Sequence, residues 1–511
     1  MDRTVANGFP AGNGPGKVFG WITRNRIKAG SSYFRRKNPV FMLLSRFCYL
    51  LLAYMLVFAP SRACTIFIAN DGRQVWVGNN EDEDPALRYR LWYYPAINKH
   101  NGYMIWTELS PDGKMDSLMY HIPQGGMNDK GLFMDYTAID ELPVLRDPSR
   151  QDRETEIVTD LLQQCGTVAE ALQFIERFNL VRLTGAQLFI ADENGDYATV
   201  HGSYVMRRST PDFALTNYRV NDGHYEACWR RDAALAGLNS GQSRSLKNIV
   251  DLLQQTTQKK PGNLVSNYSM AIALKDRRIN LYYKNDFSTP LVLSLGAELK
   301  KGAHYRDMDG YFPQAIGPVL RTAYTAGGID RTVKVYDSLR GHSPTRYNFG
   351  SDEALDVALQ LLAKEKPAEA LRLLESIRHF DPGKQTLNAW CGVASRKLGK
   401  AAESDRCFAS ALAADPDNYV ATLFGKQAGG TVTFRMNDFG YAQLVNLVSD
   451  SARWPPAPMK KDAAGAWTCT LQLPPGTYRY KFIVNGIYLA DQVNLLRTGF
   501  GPDIYSILYV W

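Results

Sequence analysis

Three things are scarce in this 511-residue chain, and each scarcity closes off a class of function. Cysteine is sparse and irregular. Beyond Cys64 come Cys165, Cys228, Cys391, Cys407 and Cys469, an odd number with no Cys-x-x-Cys spacing and no Cys/His grouping. That pattern argues against a disulfide framework or a metal centre and reads as plain buried thiols. Long apolar runs are missing after the first sixty or so residues, so no later stretch is apolar enough to cross a bilayer. Net charge is missing as well, once the front of the chain is set aside. The whole sequence is formally +8, but residues 1–63 hold ten Lys/Arg and one acid, leaving 49 basic against 50 acidic side chains. No nucleic-acid partner is expected of so balanced a chain.

What the front of the chain does contain reads as an export signal. Arg35, Arg36, Lys37 and Arg46 precede an uncharged run over 47–60, and Ser61-Arg62-Ala63 places small residues at the −3 and −1 positions of a cut before Cys64. Met42 would start a signal of ordinary length, with 1–41 as a misassigned start or a loose basic extension. Export to the periplasm or the outside follows, with no membrane span once the signal is gone. The 448 residues after Ala63 suffice for two to four domains, each with its own core.

Over 64–293 the pattern alternates between hairpins and amphipathic helices. Strands over 65–70 and 74–79 flank the turn dipeptide Asp71-Gly72. A second hairpin joins 186–191 to 197–201 through Glu193-Asn194-Gly195, and a third joins 270–274 to 279–283. Helices are expected over 154–165, over 167–178 with a Thr167-x-x-Glu170 capping box, and over 246–256. This order predicts an α+β domain of two packed sheets covered by helices. Residues 294–351 form a connector to which the sequence assigns no fold.

From Asp352 the composition shifts to Ala, Leu, Glu and Lys, and an internal repeat begins. His379-Phe380-Asp381-Pro382 returns as Ala413-Ala414-Asp415-Pro416, and Pro367-Ala368-Glu369 as Ala401-Ala402-Glu403, both at an offset of 34 residues. The segment 352–428 thus resembles a pair of tetratricopeptide repeats, with an ordinary pair of helical hairpins as the alternative. Two repeats are too few to stand alone, so they should pack on a neighbouring domain and offer a spacer or a docking surface for a protein partner.

Residues 430–511 read as strands over 431–435, 444–449, 467–473, 478–484 and 506–510, turned by Pro474-Pro475-Gly476 and Asn485-Gly486. They predict a small immunoglobulin-like β-sandwich. Trp454-Pro-Pro, Trp467, the run 478–486 and Asp491 resemble the glycogen-binding, family 48 carbohydrate-binding modules. That resemblance implies α-glucan binding, with Trp454 and Tyr488 stacking on sugar faces and Lys481 bonding hydroxyls. Ser506 stands where such modules carry Asn, and Trp467 reads as core. A purely structural module is the alternative.

The chemistry centres on Cys64. A thiol at a mature N-terminus has its base on the same residue, because an α-amine with a pKa of about 7.7 to 8 can take the thiol proton. The thiolate then attacks an amide carbonyl, and water hydrolyses the thioester. The scheme needs no cofactor and no metal. It does need an acid to orient the nucleophile, for which Asp82 at the far end of the hairpin partner is placed, and donors for the oxyanion.

At this point the chain resembles the N-terminal nucleophile hydrolases of the choloylglycine hydrolase and penicillin V acylase superfamily, which includes acyl-coenzyme A:6-aminopenicillanate acyltransferases. The resemblance lies in Cys64-Thr65 opening a strand, Gly78-x-Asn80-x-Asp82, the run 126–132, and Leu215-Thr216-Asn217. It implies a four-layer αββα fold, Cys64 as nucleophile and base, Asp82 as orienting acid and Asn217 as oxyanion donor. Two departures stand out. Asn79 occupies the place of a family Arg, and no match was found for a late Arg or a second oxyanion Asn, where Tyr136 and Ala138 stand. Asn79 and Asn80 are secondary donor candidates without positive charge. The aromatic run Tyr89, Leu91, Trp92, Tyr93 and Tyr94 suits either an acyl pocket or a buried strand.

The leading expectation is therefore an exported hydrolase of linear amides in small N-acyl compounds. Acyl transfer through the same thioester is a close alternative. A non-catalytic binding protein anchored by lipid on Cys64 is the alternative from another class.

Overall fold

Asp71 opens the first turn by accepting from the amides of Arg73 and Gln74, both at 2.9 Å, while Gly72 takes a φ of +82°. The hairpin it closes is β1 (Thr65–Asn70) against β2 (Val75–Glu83), in register from Thr65↔Asn80 to Asn70↔Val75. Within it, Gly78 faces Phe67, and a Cβ at Gly78 would lie 2.1 Å from that ring, so the aromatic is accommodated only by glycine. The computed structural model describes residues 64–83, 87–109, 122–139, 142–221, 228–241, 243–258, 265–437, 442–450, 454, 456–463, 465–484, 487–499 and 504–511, all within one unit spanning 59–511. The leader 1–63 and the Asn485-Gly486 turn lie outside the described residues.

β1 and β2 belong to a six-stranded antiparallel sheet ordered Phe213–Leu215, β1, β2, Val265–Ala273, Arg278–Tyr283, Asp286–Ser294. A second sheet has eight strands, ordered Tyr204–Arg207, Tyr197–His201, Ala186–Ala191, Phe133–Ala138, Gly125–Asn128, Tyr103–Leu109, Arg88–Tyr94, His304–Asp307. The expected hairpins at Gly195 and at Asp276 are both present, the latter with Ala273 opposite Arg278. Asp286–Ser294 and His304–Asp307 extend the sheets beyond them, so the layered unit runs into the segment 294–351.

The two sheets share one apolar cluster, in which Ile66, Ile68, Val75 and Val77 meet Leu91, Met104, Trp106 and Phe133. The outer face of the first sheet carries Phe67 and Trp76 against Ile249, Leu252 and Leu253 of the helix Leu246–Thr256. The outer face of the second carries Met134, Leu188 and Ile190 against the helices Val158–Gln164 and Val168–Ile175. Thr167 and Glu170 form the reciprocal cap that starts the second of these. Mixed helix and antiparallel sheet make this an α+β unit.

Residues 294–351 continue into a helix, Ile316–His342, bent where Gly328 adopts a φ of +62°. Helical hairpins follow. Pro367–Phe380 and Ala401–Ala414 start and end at positions 34 residues apart, reproducing the repeat offset in three dimensions. Their small number is offset by a shared core, since Leu362, Trp390 and Phe424 pack in the same cluster as Phe434, Tyr480 and Tyr509 of the terminal segment. Tyr509 donates to the Leu362 carbonyl at 3.1 Å, and Trp511 Nε1 donates to the Phe424 carbonyl at 2.7 Å. The terminal segment itself is all strand, with Thr431–Met436 on Trp467–Gln472 in one sheet and Val445–Ser449, Gly476–Val484 and Tyr505–Val510 in the other.

Candidate active site

Strand alternation decides what surrounds Cys64. On β1, Ile66 and Ile68 point between the sheets, so Cys64 at the start of the same series points there too, while Thr65 and Phe67 face the helices. On β2, Val75 and Val77 point between the sheets, which puts Asn79, Glu81 and Glu83 on that side and Asn80 and Asp82 on the other. The register Thr65↔Asn80, carried one step on, sets Cys64 opposite Glu81. Accordingly the Cys64 thiol donates to Glu81 Oε1 at 3.3 Å.

The thiol sits in an environment hostile to its charged form. Burial, and then the carboxylates Glu81, Asp82 and Asp135, push the Cys64 thiol well above its ordinary range, with the Asp82 backbone amide pulling the other way. It will not ionise unaided, so a nucleophilic role requires an adjacent base.

Asp82 lies on the helix side, fully buried, and reaches Cys64 through a third residue that the sequence reading missed. Arg230, on the helix Trp229–Leu238, is 0 % exposed. Its Nη1 donates to Asp82 Oδ2 at 2.6 Å, to the Cys64 carbonyl at 3.0 Å and to Thr65 Oγ1 at 3.2 Å, and its Nη2 donates to Asn217 Oδ1 at 3.1 Å. One guanidinium thus ties together Cys64, Asp82 and Asn217 from three separate stretches of chain. It brings a buried positive charge to this cluster. The signal was legible in part: buried positions of that helix are Arg230, Ala234 and Leu238, an i, i+4, i+8 stripe that begins with an arginine. Ser266, paired directly with Asp82, and Gln258 also donate to its carboxylate. Burial still raises the Asp82 carboxyl above its usual value, against Arg230 and the two hydrogen bonds, which favour the charged form.

Asn217 is half-buried, and its Nδ2 donates to the Ala138 carbonyl at 2.9 Å. The second N–H of that amide is the one available to an oxyanion. Asn80 turns away from Cys64 and donates to Leu253 O and Thr256 Oγ1 at 3.0 and 2.8 Å, which corrects its candidacy as a site donor. Asn79 lies between the sheets and donates to Asp135 Oδ2 at 2.6 Å. Of the aromatic run, Tyr89, Leu91 and Tyr93 line the inter-sheet space while Trp92 faces the helices. Tyr89 packs edge-on against Tyr268 at 4.7 Å, and Tyr268 donates to Glu81 Oε2 at 3.3 Å.

The terminal sandwich touches this region. Ile504 packs on the inter-sheet cluster, and Arg497 lies within electrostatic reach of Glu83. Within the sandwich, Tyr488 is 57 % exposed and the Lys481 ammonium sits 4.8 Å from its ring. Trp454 does not share that surface. It is 4 % exposed and packs at 5.3 Å from Phe434 and 6.2 Å from Tyr480, so it is a core side chain and not a sugar-stacking face. Trp454→Ala is expected to lower the stability of the sandwich by about 3–5 kcal/mol, read by chemical denaturation. Trp467 is likewise core.

Among the described residues, no group of His, Cys, Asp and Glu could hold a metal ion, and no helix is long and apolar enough to cross a membrane.

No family model matches the chain, and no curated protein does. Among solved structures, a mutant conjugated bile acid hydrolase from Clostridium perfringens is similar over 48% of this chain and 96% of its own, at a TM-score of 0.37 and 10% identity.

Proposed function

We propose that the chain is an exported amide hydrolase whose nucleophile is Cys64, freed as the first residue when the leader is cut. The observation that carries this reading is the grip on Cys64. Its carbonyl and its strand neighbour Thr65 are held by Arg230, which is itself fixed by Asp82 and Asn217, while its thiol projects between the sheets toward Glu81. A structural thiol has no use for such an anchor.

The proposed chemistry follows from that placement. The α-amine takes the proton that the buried thiol cannot shed alone, and the thiolate sulfur bonds to the amide carbon of an N-acyl compound. The C–N bond breaks as the amine leaves with the proton, and water, activated by the same α-amine, hydrolyses the thioester to release the acid. Asp82 acts through Arg230 to orient Cys64, and the free N–H of Asn217 steadies the oxyanion. On this reading the two sheets and their helix coats are the four layers of an N-terminal nucleophile hydrolase, and the helical hairpins and sandwich are a scaffold beside it. An α-glucan site is not part of the proposal, because one of its two stacking residues lies in a core.

Backbone strain supports the cut before Cys64. That residue takes a φ of +72°, a left-handed conformation that costs a side-chain-bearing residue roughly 1–2 kcal/mol. Cutting the bond to Ala63 abolishes the torsion. The test is front-end sequencing and intact mass of the secreted protein. An unmodified Cys64 terminus is expected; any other first residue, or a diacylglyceryl mass, overturns the mechanism.

A further inference from the structure

We propose that Cys391 and Cys407 close into a disulfide bridge between two neighbouring helices once the chain meets a disulfide oxidant. The inference goes beyond the reading of Cys64 and does not depend on it, because neither sulfur takes part in the chemistry there.

Both are buried free thiols in the structure, sixteen residues apart in sequence, on the helices Gln385–Lys397 and Ala401–Ala414. Side-chain hydrogen bonds fix how these antiparallel helices face each other. Toward one end Asn388 Nδ2 donates to Ser410 Oγ at 3.3 Å, and toward the other Ser395 Oγ donates to Glu403 Oε1 at 3.3 Å. Three residues in from the first pair, and four in from the second, stand Cys391 and Cys407. Steps of three and four keep to one face of a helix, so both cysteines lie on the seam between the two bonds.

A third side chain marks the same spot. Arg378 Nη1 lies 3.8 Å from Cys407 Sγ and donates to Asn388 Oδ1 at 3.4 Å. Burial pushes the Cys391 thiol up to about 12, Arg378 pulls it back, and Cys407 adds to the rise, so the two sulfurs feel each other. A bridge needs Cα atoms about 4.4–6.8 Å apart, closer than the axes of packed helices usually run. Small residues grant that approach here. Ala394 and Ser395 on the first helix and Ser404 and Ala411 on the second are buried, and a Cβ added at Gly392 would lie 2.8 Å from the Phe408 ring.

The step is thiol–disulfide exchange. Cys407, 9 % exposed against 1 % for Cys391, meets the oxidant first. Its thiolate bonds to one sulfur of the oxidant, whose S–S bond breaks, and the other sulfur leaves as a thiolate. Cys391 then attacks the mixed disulfide and expels the second thiolate. The proton of each cysteine ends on a departing sulfur, so two electrons pass to the oxidant and it ends as two thiols. The closed loop ties the hairpin together at mid-length and restricts it in the unfolded chain.

The test uses the full mature protein in two samples, one as secreted and one reduced, freed of reductant and exposed to oxidised glutathione. Both are unfolded in iodoacetamide without reduction and cut with trypsin. The expected product joins the peptides 385–396 and 407–426 at the sum of their masses less two hydrogens. Cys391→Ser should instead carry one glutathione on Cys407. Unlinked peptides after glutathione, or either cysteine joined to a different one, overturn the proposal. A bridge made by glutathione but absent from the secreted protein supports the pairing and counts against export into an oxidising compartment. Neither result touches the assignment of Cys64.

Discussion

Cys64→Ala lowers hydrolysis of the best N-acyl amide substrate by roughly a thousandfold or more, with kcat carrying the loss, because the covalent step disappears. The substitution leaves Ser61 and Ala63 in place, so the cut before residue 64 proceeds and a free α-amine remains. What vanishes is the sulfur. Cys64 packs at 8 % exposure, and Ala removes only the thiol and its hydrogen bond to Glu81, so the melting temperature should shift little. Turnover undiminished in the purified Ala variant would place the nucleophile elsewhere. A Cys64→Ser variant refines the result, since its hydroxyl, far harder to ionise beside Glu81 and Asp135, should recover little of the rate.

The second large effect belongs to Arg230. Arg230→Met keeps the volume of the side chain and removes the charge, leaving the Asp82 carboxylate buried with only Ser266 and Gln258 beside it. Breaking a buried ion pair by removing one partner costs about 3–5 kcal/mol, most of it the stranded charge. Denaturant unfolding should show that loss. Asp82→Asn in the same background should restore most of it, because the neutral amide no longer needs a counter-ion. Activity should not return with stability, since the Cys64 carbonyl and Asn217 Oδ1 stay without their donor. A double variant as unstable as the single one would show that the guanidinium acts by packing alone.

The parts of this site that are visible in the sequence are those written in neighbouring residues. The Asp71-Gly72 turn fixes the β1–β2 register, and that register is what brings the Glu81–Asp82 pair alongside Cys64. Asp82, expected to orient the nucleophile, lies on the helix side of β2, and the side facing the thiol belongs to Glu81; the valines at 75 and 77 already set that alternation. Arg230 was out of reach for a different reason. Nothing local links it to Cys64, 166 residues away, and only the packing of its helix on the first sheet brings them together. Asp135 was hidden in the same way, on a strand of the facing sheet. Trp454 was misjudged because a Trp-Pro-Pro sequence looks alike on a surface loop and at a core entrance. Its contacts with Phe434 and Tyr480 decide between them.

The helical hairpins and the terminal strands share one apolar interior. Leu362, Phe424 and Gln427 on one side and Tyr509 and Trp511 on the other are joined by apolar contact and by hydrogen bonds between side chains and main chain. Such a seam makes two folds a single cooperative unit, in the sense that neither can open without wetting the other's interior. Insertions or recombination at the junction near Gly430, where composition and secondary structure both change, would therefore be poorly tolerated, although to the eye it is the natural place to cut.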